Sequence, residues 1–137
     1  MVARDFEQAK QEYDSFEAII RANVPNVYAL PYADGPEACL HLMSIVSFVD
    51  TDKAVVYSKY MPVFFRNYLL EKGFELIECG DAEYDYLGTN LLALEPKKCV
   101  LIQGCPGIQK KLEEKGIEVL TYKGQEISYK GTGGLPA

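Results

Sequence analysis

The sequence predicts an α/β fold made of two ββαβ modules that follow an N-terminal helix and a short strand. Two observations lead to this prediction: strand-type and helix-type patterns alternate along the chain, and one series of them occurs twice. The segments LLEKGFELIEC (69–79) and LEEKGIEVLTY (112–122) match each other, with their Lys-Gly pairs 43 positions apart. We therefore expect modules at about 40–80 and 90–123, within a single domain of residues 1–137.

The part before the modules is expected to form a helix, a short strand and a loop. Apolar residues recur at mostly helical spacing from Phe6 to Ala22, and Asn23 and Pro25 then end the helix. The residues VYAL (27–30) predict the short strand. Turn-forming residues in the following PYADGPE predict a loop.

Each module is expected to contain a hairpin, a helix and a third strand. In the first module, a buried strand within 37–50 pairs with AVVYS, a helix ends at Gly73, and FELIEC follows. In the second, NLLALEP pairs with CVLIQG, a helix runs from Pro106 to Gly116, and IEVLTYK follows. Two such modules leave sheet edges uncovered, so the chain is expected to associate with a copy of itself or with a further part.

Composition and charge exclude several classes of function. The net charge is −6 and the paired lysines each have glutamates nearby, which argues against a nucleic-acid partner. The N-terminus is too charged for a signal peptide, and no apolar run approaches ~18 residues, so we expect a cytoplasmic protein without membrane contact. The four cysteines form no CxxC pair and there is one histidine, so we expect reduced thiols, no metal and no cofactor.

The only histidine, His41, lies in the apolar stretch 37–50 and has two interpretations. One is a buried imidazole whose nitrogens bond to backbone groups. The other is a general acid–base catalyst, since the ordinary pKa of histidine lies nearest neutral pH. The residue pattern alone leaves both open.

Four segments, in order, resemble the C-terminal half of the amidinotransferase superfamily: LHLMSIVSFVD, LGTNLLALEP, LEEKGIEVLTY and EISYKGTGGLP. Members of this superfamily modify guanidino groups and include arginine deiminases and dimethylarginine dimethylaminohydrolases. The resemblance runs from about Phe16 to the last residue. It implies a pentein fold, in which five ββαβ modules form a propeller around a central active site, with about half of that ring present here.

The resemblance also implies roles for individual residues. His41 matches the family's catalytic histidine, which handles proton transfers while a cysteine attacks the guanidino carbon. Asn90, in GTN, matches a position near the substrate. An asparagine that only forms a turn before a strand would give the same sequence pattern, so this alternative stays open. Gly133 and Gly134 match the loop that presents the nucleophile, and are expected near the substrate.

The chain departs from the family pattern in three ways. Ala137 stands where a cysteine closes the family's GG-x-x-C motif, and alanine cannot form the covalent intermediate. The family's first half, with its substrate-binding carboxylates and arginines, has no counterpart in this sequence. Met43 stands where arginine deiminases carry an acid that holds the guanidinium, which argues against arginine itself as substrate.

Two other cysteines are candidates for the missing nucleophile. Cys39 would share a strand face with His41 and Met43, while Leu40 and Leu42 fill the opposite face, so that His41 stays accessible. Cys105 precedes a helix, where an exposed thiol has a lowered pKa. We expect both to be inert: the first as strand packing, the second as a loop residue without a partner histidine.

We therefore expect the C-terminal part of a guanidino-modifying enzyme of the amidinotransferase, arginine deiminase or dimethylarginine dimethylaminohydrolase type, inactive by itself. The alternative is a non-catalytic pentein-like module for binding or assembly. The expected partners are a small arginine-like guanidino substrate in the complete enzyme, and either a second copy of the chain or the missing N-terminal half.

Overall fold

The computed structural model describes residues 5–28 and 41–130. The chain divides into two compact units, residues 1–31 and 32–137. The expectation of a single domain over the whole chain stays a prediction.

The described part of the first unit is a single helix, α1 (Phe6–Asn23). The helix begins where the Asp5 side chain accepts a hydrogen bond from the Gln8 backbone N–H at 3.0 Å, which satisfies one of the unpaired donors of the first turn. The predicted helix is confirmed. The predicted strand at 27–30 is not: residues 27 and 28 are in no strand, and the other two lie outside the described residues.

The second unit contains the two predicted modules. Its elements are a short 3₁₀ helix (Leu42–Ser44), β1 (Val46–Asp50), β2 (Lys53–Val56), α2 (Val63–Glu71), β3 (Glu75–Glu78), α3 (Asp81–Asp85), β4 (Leu92–Glu95), β5 (Lys98–Ile102), α4 (Pro106–Glu114), β6 (Glu118–Tyr122) and a π-helical turn (Gln125–Tyr129).

The strands form two three-stranded sheets of identical topology, β1-β2-β3 and β4-β5-β6. In each sheet the first two strands are an antiparallel hairpin, and the third strand runs parallel to the second after a crossover helix. Both hairpins are irregular at the same place, between Phe48 and Asp50 and between Ala93 and Glu95. The two ββαβ modules predicted from the sequence repeat are therefore confirmed.

The repeat extends to single hydrogen bonds at the joint between helix and strand. Gly73 and Gly116 both have positive φ, 84° and 75°, the left-handed conformation that glycine adopts at a helix C-terminus. The next residue, Phe74 or Ile117, donates its N–H to the carbonyl of Leu69 or Leu112 at 3.0 Å in both modules. Each of the matching Lys-Gly pairs therefore marks the C-terminus of a helix, and the two helices end in the same way.

The first sheet is buried on both of its faces. Ala54 and Val56 pack with Leu69 of α2 in one cluster. The residues that alternate with them belong to a second cluster that includes Ile108 and Leu112 of α4. Since successive strand residues point to opposite faces, the helix of the second module covers the face of the first sheet that α2 leaves open.

Two elements of this unit were not predicted. Both α3 and the π-helical turn follow the last strand of a module, and both are five residues long. Helices this short show too few turns for a hydrophobic period to be recognised.

Candidate active site

His41 lies before a 3₁₀ turn and not inside a strand, so the predicted strand 37–50 is too long at its start. Its carbonyl accepts the Ser44 N–H at 2.9 Å, and the Leu42 carbonyl accepts the Ile45 N–H at 3.0 Å. These bonds close a turn over Leu42–Ser44, and β1 begins at Val46. A turn has no period of two, so the predicted alternation of faces is wrong: Leu42 and Met43 are both exposed, at 46% and 40%.

The imidazole of His41 is exposed, which argues against the interpretation as a sealed core residue. Its neighbourhood is nevertheless fixed, because Ile45, Val46 and Ser47 are all buried. An exposed side chain at the edge of a buried strand is a suitable position for a group that must exchange protons with a ligand.

Hydrogen bonds between the modules hold the His41 turn beside the turn that contains Asn90. The Thr89 hydroxyl donates to the Ser44 carbonyl at 2.6 Å, and the Ser47 hydroxyl donates to the Thr89 carbonyl at 2.5 Å. Thr89 and Ser47 are both buried. Since buried hydroxyls without partners are costly, this pair of bonds fixes the relative position of the two turns. The structure thus brings together the segments of two predicted site residues.

The turn at Gly88–Asn90 is tightly built. Leu87 has a positive φ of 64°, unusual for a residue other than glycine, and its carbonyl accepts the Asn90 N–H at 3.0 Å. A Cβ added at Gly88 would lie 2.7 Å from the Glu83 carbonyl oxygen, so only glycine fits there.

The side-chain oxygen of Asn90 is buried and has no hydrogen-bond donor among the described residues. An amide oxygen in this state costs about 1–3 kcal/mol.

The three cysteines in the described part of the chain are all buried and free. Burial raises the pKa of Cys99 to about 11. Burial, and secondarily the charge of Glu83, raise the pKa of Cys79 to about 12 and that of Cys105 to about 11. These thiols are protonated at neutral pH and are poor nucleophiles.

The raised pKa of Cys105 agrees with the expectation that this thiol is inert, although it lies at the N-terminus of a helix. The Glu83 carboxylate accepts the N–H groups of Gly107 and Ile108 at 2.6 and 2.9 Å, and so caps α4 with a negative charge. The thiol, at the N-cap position, faces the carbonyls of Glu83 and Tyr86 at 3.8 and 3.6 Å. Glu83 was missed at the sequence level because it lies in the unpredicted α3 and caps a helix that begins more than twenty residues later.

The remaining predicted site residues, Gly133, Gly134 and Ala137, lie outside the described residues, as does Cys39. Over residues 5–28 and 41–130, no three side chains of His, Cys, Asp or Glu are grouped as metal ligands. In the same ranges, no helix is long and apolar enough to cross a membrane.

Two known proteins are similar in sequence to more than two thirds of this chain. A 2-nitroimidazole nitrohydrolase of Mycobacterium sp. (strain JS330) is 33% identical over 100 residues, which are 72% of this chain and 26% of that protein. An uncharacterized protein of Bacillus subtilis (strain 168) is 26% identical over 95 residues, 69% of this chain and 33% of the relative. No family model matches the sequence.

Solved structures are similar over most of the chain. An amidinotransferase of the saxitoxin biosynthetic pathway from Microseira wollei superposes with a TM-score of 0.66, at 15% identity, over 88% of this chain and 36% of its own. A mutant DDAH from Pseudomonas aeruginosa, complexed with citrulline, gives 0.61 at 15% identity, over 82% and 40%. The chain thus spans between about a quarter and two fifths of the length of these relatives. The likenesses confirm the predicted fold class, which an amidinotransferase and DDAH share over most of this chain.

Proposed function

Because this chain has the fold that amidinotransferases share with DDAH, we propose that it forms the histidine-bearing part of an enzyme that modifies guanidino groups. The observation that carries the proposal is the pairing of two turns: one bears the exposed His41 and the other the buried, unpaired oxygen of Asn90. A proton-exchanging group and an unused acceptor, held together by buried hydrogen bonds, suit a ligand that is rich in N–H donors.

Each side chain has a distinct task in this proposal. A thiolate attacks the guanidino carbon, and His41 gives a proton to the departing nitrogen, so that an amine or ammonia leaves. His41 then takes a proton from a water molecule, whose oxygen bonds to the thiouronium carbon; the carbon–sulfur bond breaks, the ureido product leaves, and the thiolate is regenerated. Asn90 accepts an N–H of the ligand and orients it; it takes part in no bond change.

The thiolate in this scheme has to come from beyond the described cysteines. These three thiols are protonated and buried, and position 137 holds alanine. We therefore propose that the 137-residue chain binds but does not turn over its ligand, and that the complementary modules of the complete protein contribute the nucleophile and the groups that hold a substrate carboxylate. Assembly with those modules, or with a second copy of the chain, belongs to the same proposal.

Substitution at a carbon between two ring nitrogens is the second candidate function. In 2-nitroimidazole the carbon that bears the nitro group is bonded to two ring nitrogens and to the nitro nitrogen, so it has three nitrogen neighbours as the guanidino carbon does, and the same attack would expel nitrite. The Mycobacterium relative carries that substrate in its name. The exposed, uncharged Met43, two residues after His41, favours a neutral ligand over a guanidinium at this point.

Ligand titrations of the ¹⁵N-labelled chain test the proposal and separate its two forms. L-arginine, Nω-methylarginine and 2-nitroimidazole are added separately, and shifts of the His41 ring and the Asn90 side-chain amide are followed. We expect both groups to shift with one ligand class only, and the shifts to be lost in Asn90→Ala. Lys110→Ala, on the exposed face of α4, is the matched control and should leave the titrations unchanged.

If neither group shifts with any of the three ligands at millimolar concentration, the proposed site is wrong. Shifts that spread over the surface without including Asn90 would contradict its role as the orienting acceptor.

A further inference from the structure

Asn90 lies at the centre of a γ-turn. The Leu91 N–H donates to the Thr89 carbonyl at 3.1 Å, which closes a turn of three residues with Asn90 in the middle. The N–H of Asn90 itself donates to the Leu87 carbonyl at 3.0 Å. The direction of the Asn90 side chain therefore depends on the two peptide groups that flank it.

A single side-chain hydroxyl contacts both of these peptide groups. The Ser47 hydroxyl donates to the Thr89 carbonyl at 2.5 Å, and it accepts the Leu91 N–H at the longer distance of 3.4 Å. The first of these groups belongs to the peptide bond before Asn90, and the second belongs to the peptide bond after it. The serine thus joins the two ends of the γ-turn from the side of β1.

Burial gives these polar groups few other partners. Ser47, Thr89 and Leu91 are 8%, 1% and 6% exposed. Without the serine hydroxyl, the Leu91 N–H would keep one acceptor instead of two, and the Thr89 carbonyl would keep one donor. Since a buried polar group that loses a partner is costly, the peptide groups would rotate to regain one, and the Asn90 side chain would move with them.

Ser47 is a polar residue at a strand position that the second module fills with an apolar residue. The irregularities of the two hairpins are 45 positions apart, so Leu92 stands at the position of Ser47. Val46 and Val49, on the same strand as Ser47, are buried apolar residues. The hairpin itself does not require a serine here, and the bonds to the Asn90 turn are what distinguish this residue.

We propose that Ser47 is a positioning residue of the candidate active site, whose hydroxyl fixes the γ-turn and so aims the Asn90 side-chain oxygen at an N–H group of the ligand. The ligand in this statement rests on the proposed function, whereas the turn does not. Ser47 touches no reacting atom and acts through Asn90. A group that binds a ligand has to be held in place by hydrogen bonds behind it, and the buried oxygen of Asn90 has no donor among the described residues.

Hydrogen exchange in the ligand-free chain tests the turn. Ser47→Ala removes the hydroxyl, and the matched control Ser128→Ala removes another buried serine hydroxyl, which bonds to Tyr122 in the second module. We expect the Leu91 amide to exchange about tenfold faster in Ser47→Ala, relative to the amides of β5, because it loses one of its two acceptors. In Ser128→Ala this ratio should equal that of the parent chain.

Ligand titration tests the action of Ser47 on Asn90. The ligand class that shifts the Asn90 side-chain amide of the parent chain is added to each variant. In Ser47→Ala we expect the dissociation constant to rise about tenfold, the effect of one lost hydrogen bond, and the shift of the Asn90 amide to shrink. Ser47→Thr, which keeps a hydroxyl, and Ser128→Ala should bind as the parent chain does.

The two measurements separate this inference from the proposed function. If the parent chain binds none of the ligands, the proposed function fails, while exchange at Leu91 still tests the turn. Unchanged exchange at Leu91 in Ser47→Ala would overturn the inference with or without a ligand. Faster exchange together with unchanged binding would also overturn it, because Ser47 would then only stabilise the turn. A folded Ser47→Thr chain that binds as weakly as Ser47→Ala would be equally contrary.

Discussion

Replacement of Glu83 by glutamine should weaken the whole second unit, because one side chain joins the two modules. Its carboxylate accepts two N–H groups at the start of α4, at 2.6 and 2.9 Å, although it belongs to the segment that follows β3. A glutamine keeps one acceptor oxygen, but turns an NH₂ group toward the second N–H. The helix thus loses one bond, and the charge that stabilises its N-terminus disappears.

The expected cost is about 2 kcal/mol. A hydrogen bond to a charged group contributes about 1.5–3 kcal/mol, and the loss of a helix cap costs about 0.5–2 kcal/mol. The lower part of the summed range applies, since Gly107 is exposed and water can replace part of the lost bond. For a chain of 137 residues this corresponds to a melting temperature lower by roughly 6–10 °C.

Urea denaturation followed by circular dichroism, together with a thermal melt, measures this cost. Glu126→Gln is the matched control, because it makes the same change at the equivalent repeat position, 43 residues on, where the carboxylate pairs with Lys130 at the surface. Such a pair contributes about 0.3–0.5 kcal/mol. If both variants lose less than about 0.5 kcal/mol, the cap on α4 does not connect the modules and the reasoning fails.

Three further predictions concern packing, pH and activity. Gly88→Ala should cost about 1–3 kcal/mol in urea denaturation because its Cβ would meet the Glu83 carbonyl, whereas Gly80→Ala, with nothing within 4 Å, should be nearly neutral; equal losses would contradict this. The free energy of unfolding should fall as pH rises above about 9, because unfolded thiols ionise there while the three buried thiols, with pKa values of about 11 to 12, keep their protons; a flat profile from pH 8 to 10.5 would be the contrary result. The 137-residue chain should release no citrulline from arginine or methylarginines above a heat-killed control, since position 137 offers no thiol; measurable release would show that another group serves as nucleophile.

The repeated parts of the fold were predictable because their signals are local and occur twice. The glycine stops at 73 and 116 require a positive φ, and the hairpin turns follow strands of apolar residues. The start of β1 was not predictable in this way. The stretch before it is as apolar as a strand, yet it turns, and the Ser44 carbonyl of this turn accepts a hydrogen bond from Thr89, a residue 45 positions away.

The candidate site was accessible from the sequence only in part. His41 and Asn90 were identified by resemblance, and the turns that contain them are joined through buried hydroxyls that no periodicity reveals. Glu83 has the pattern of any surface glutamate, yet it contributes a cap to a helix more than twenty residues later. The pairing of the two turns and the cap on α4 both depend on interactions between residues far apart in sequence, whereas a sequence pattern predicts only local structure.

The turn that follows His41 in the first module differs from its counterpart in the second module. The N–H of Ile45 bonds to the Leu42 carbonyl, and the N–H of Asn90 bonds to the Leu87 carbonyl, both at 3.0 Å. The two bonds are 45 positions apart, as are the irregularities of the two hairpins, so they are equivalent in the two modules. The residue that precedes the first of these turns is His41, and the residue at the same position of the second is an aromatic, Tyr86, stacked on another tyrosine with ring centroids 4.4 Å apart. The same backbone thus presents a packing group in one module and an exposed imidazole in the other. Since the equivalent turn of the second module carries a tyrosine, the turn itself does not require a histidine, which is consistent with the proposed role of His41 in proton transfer.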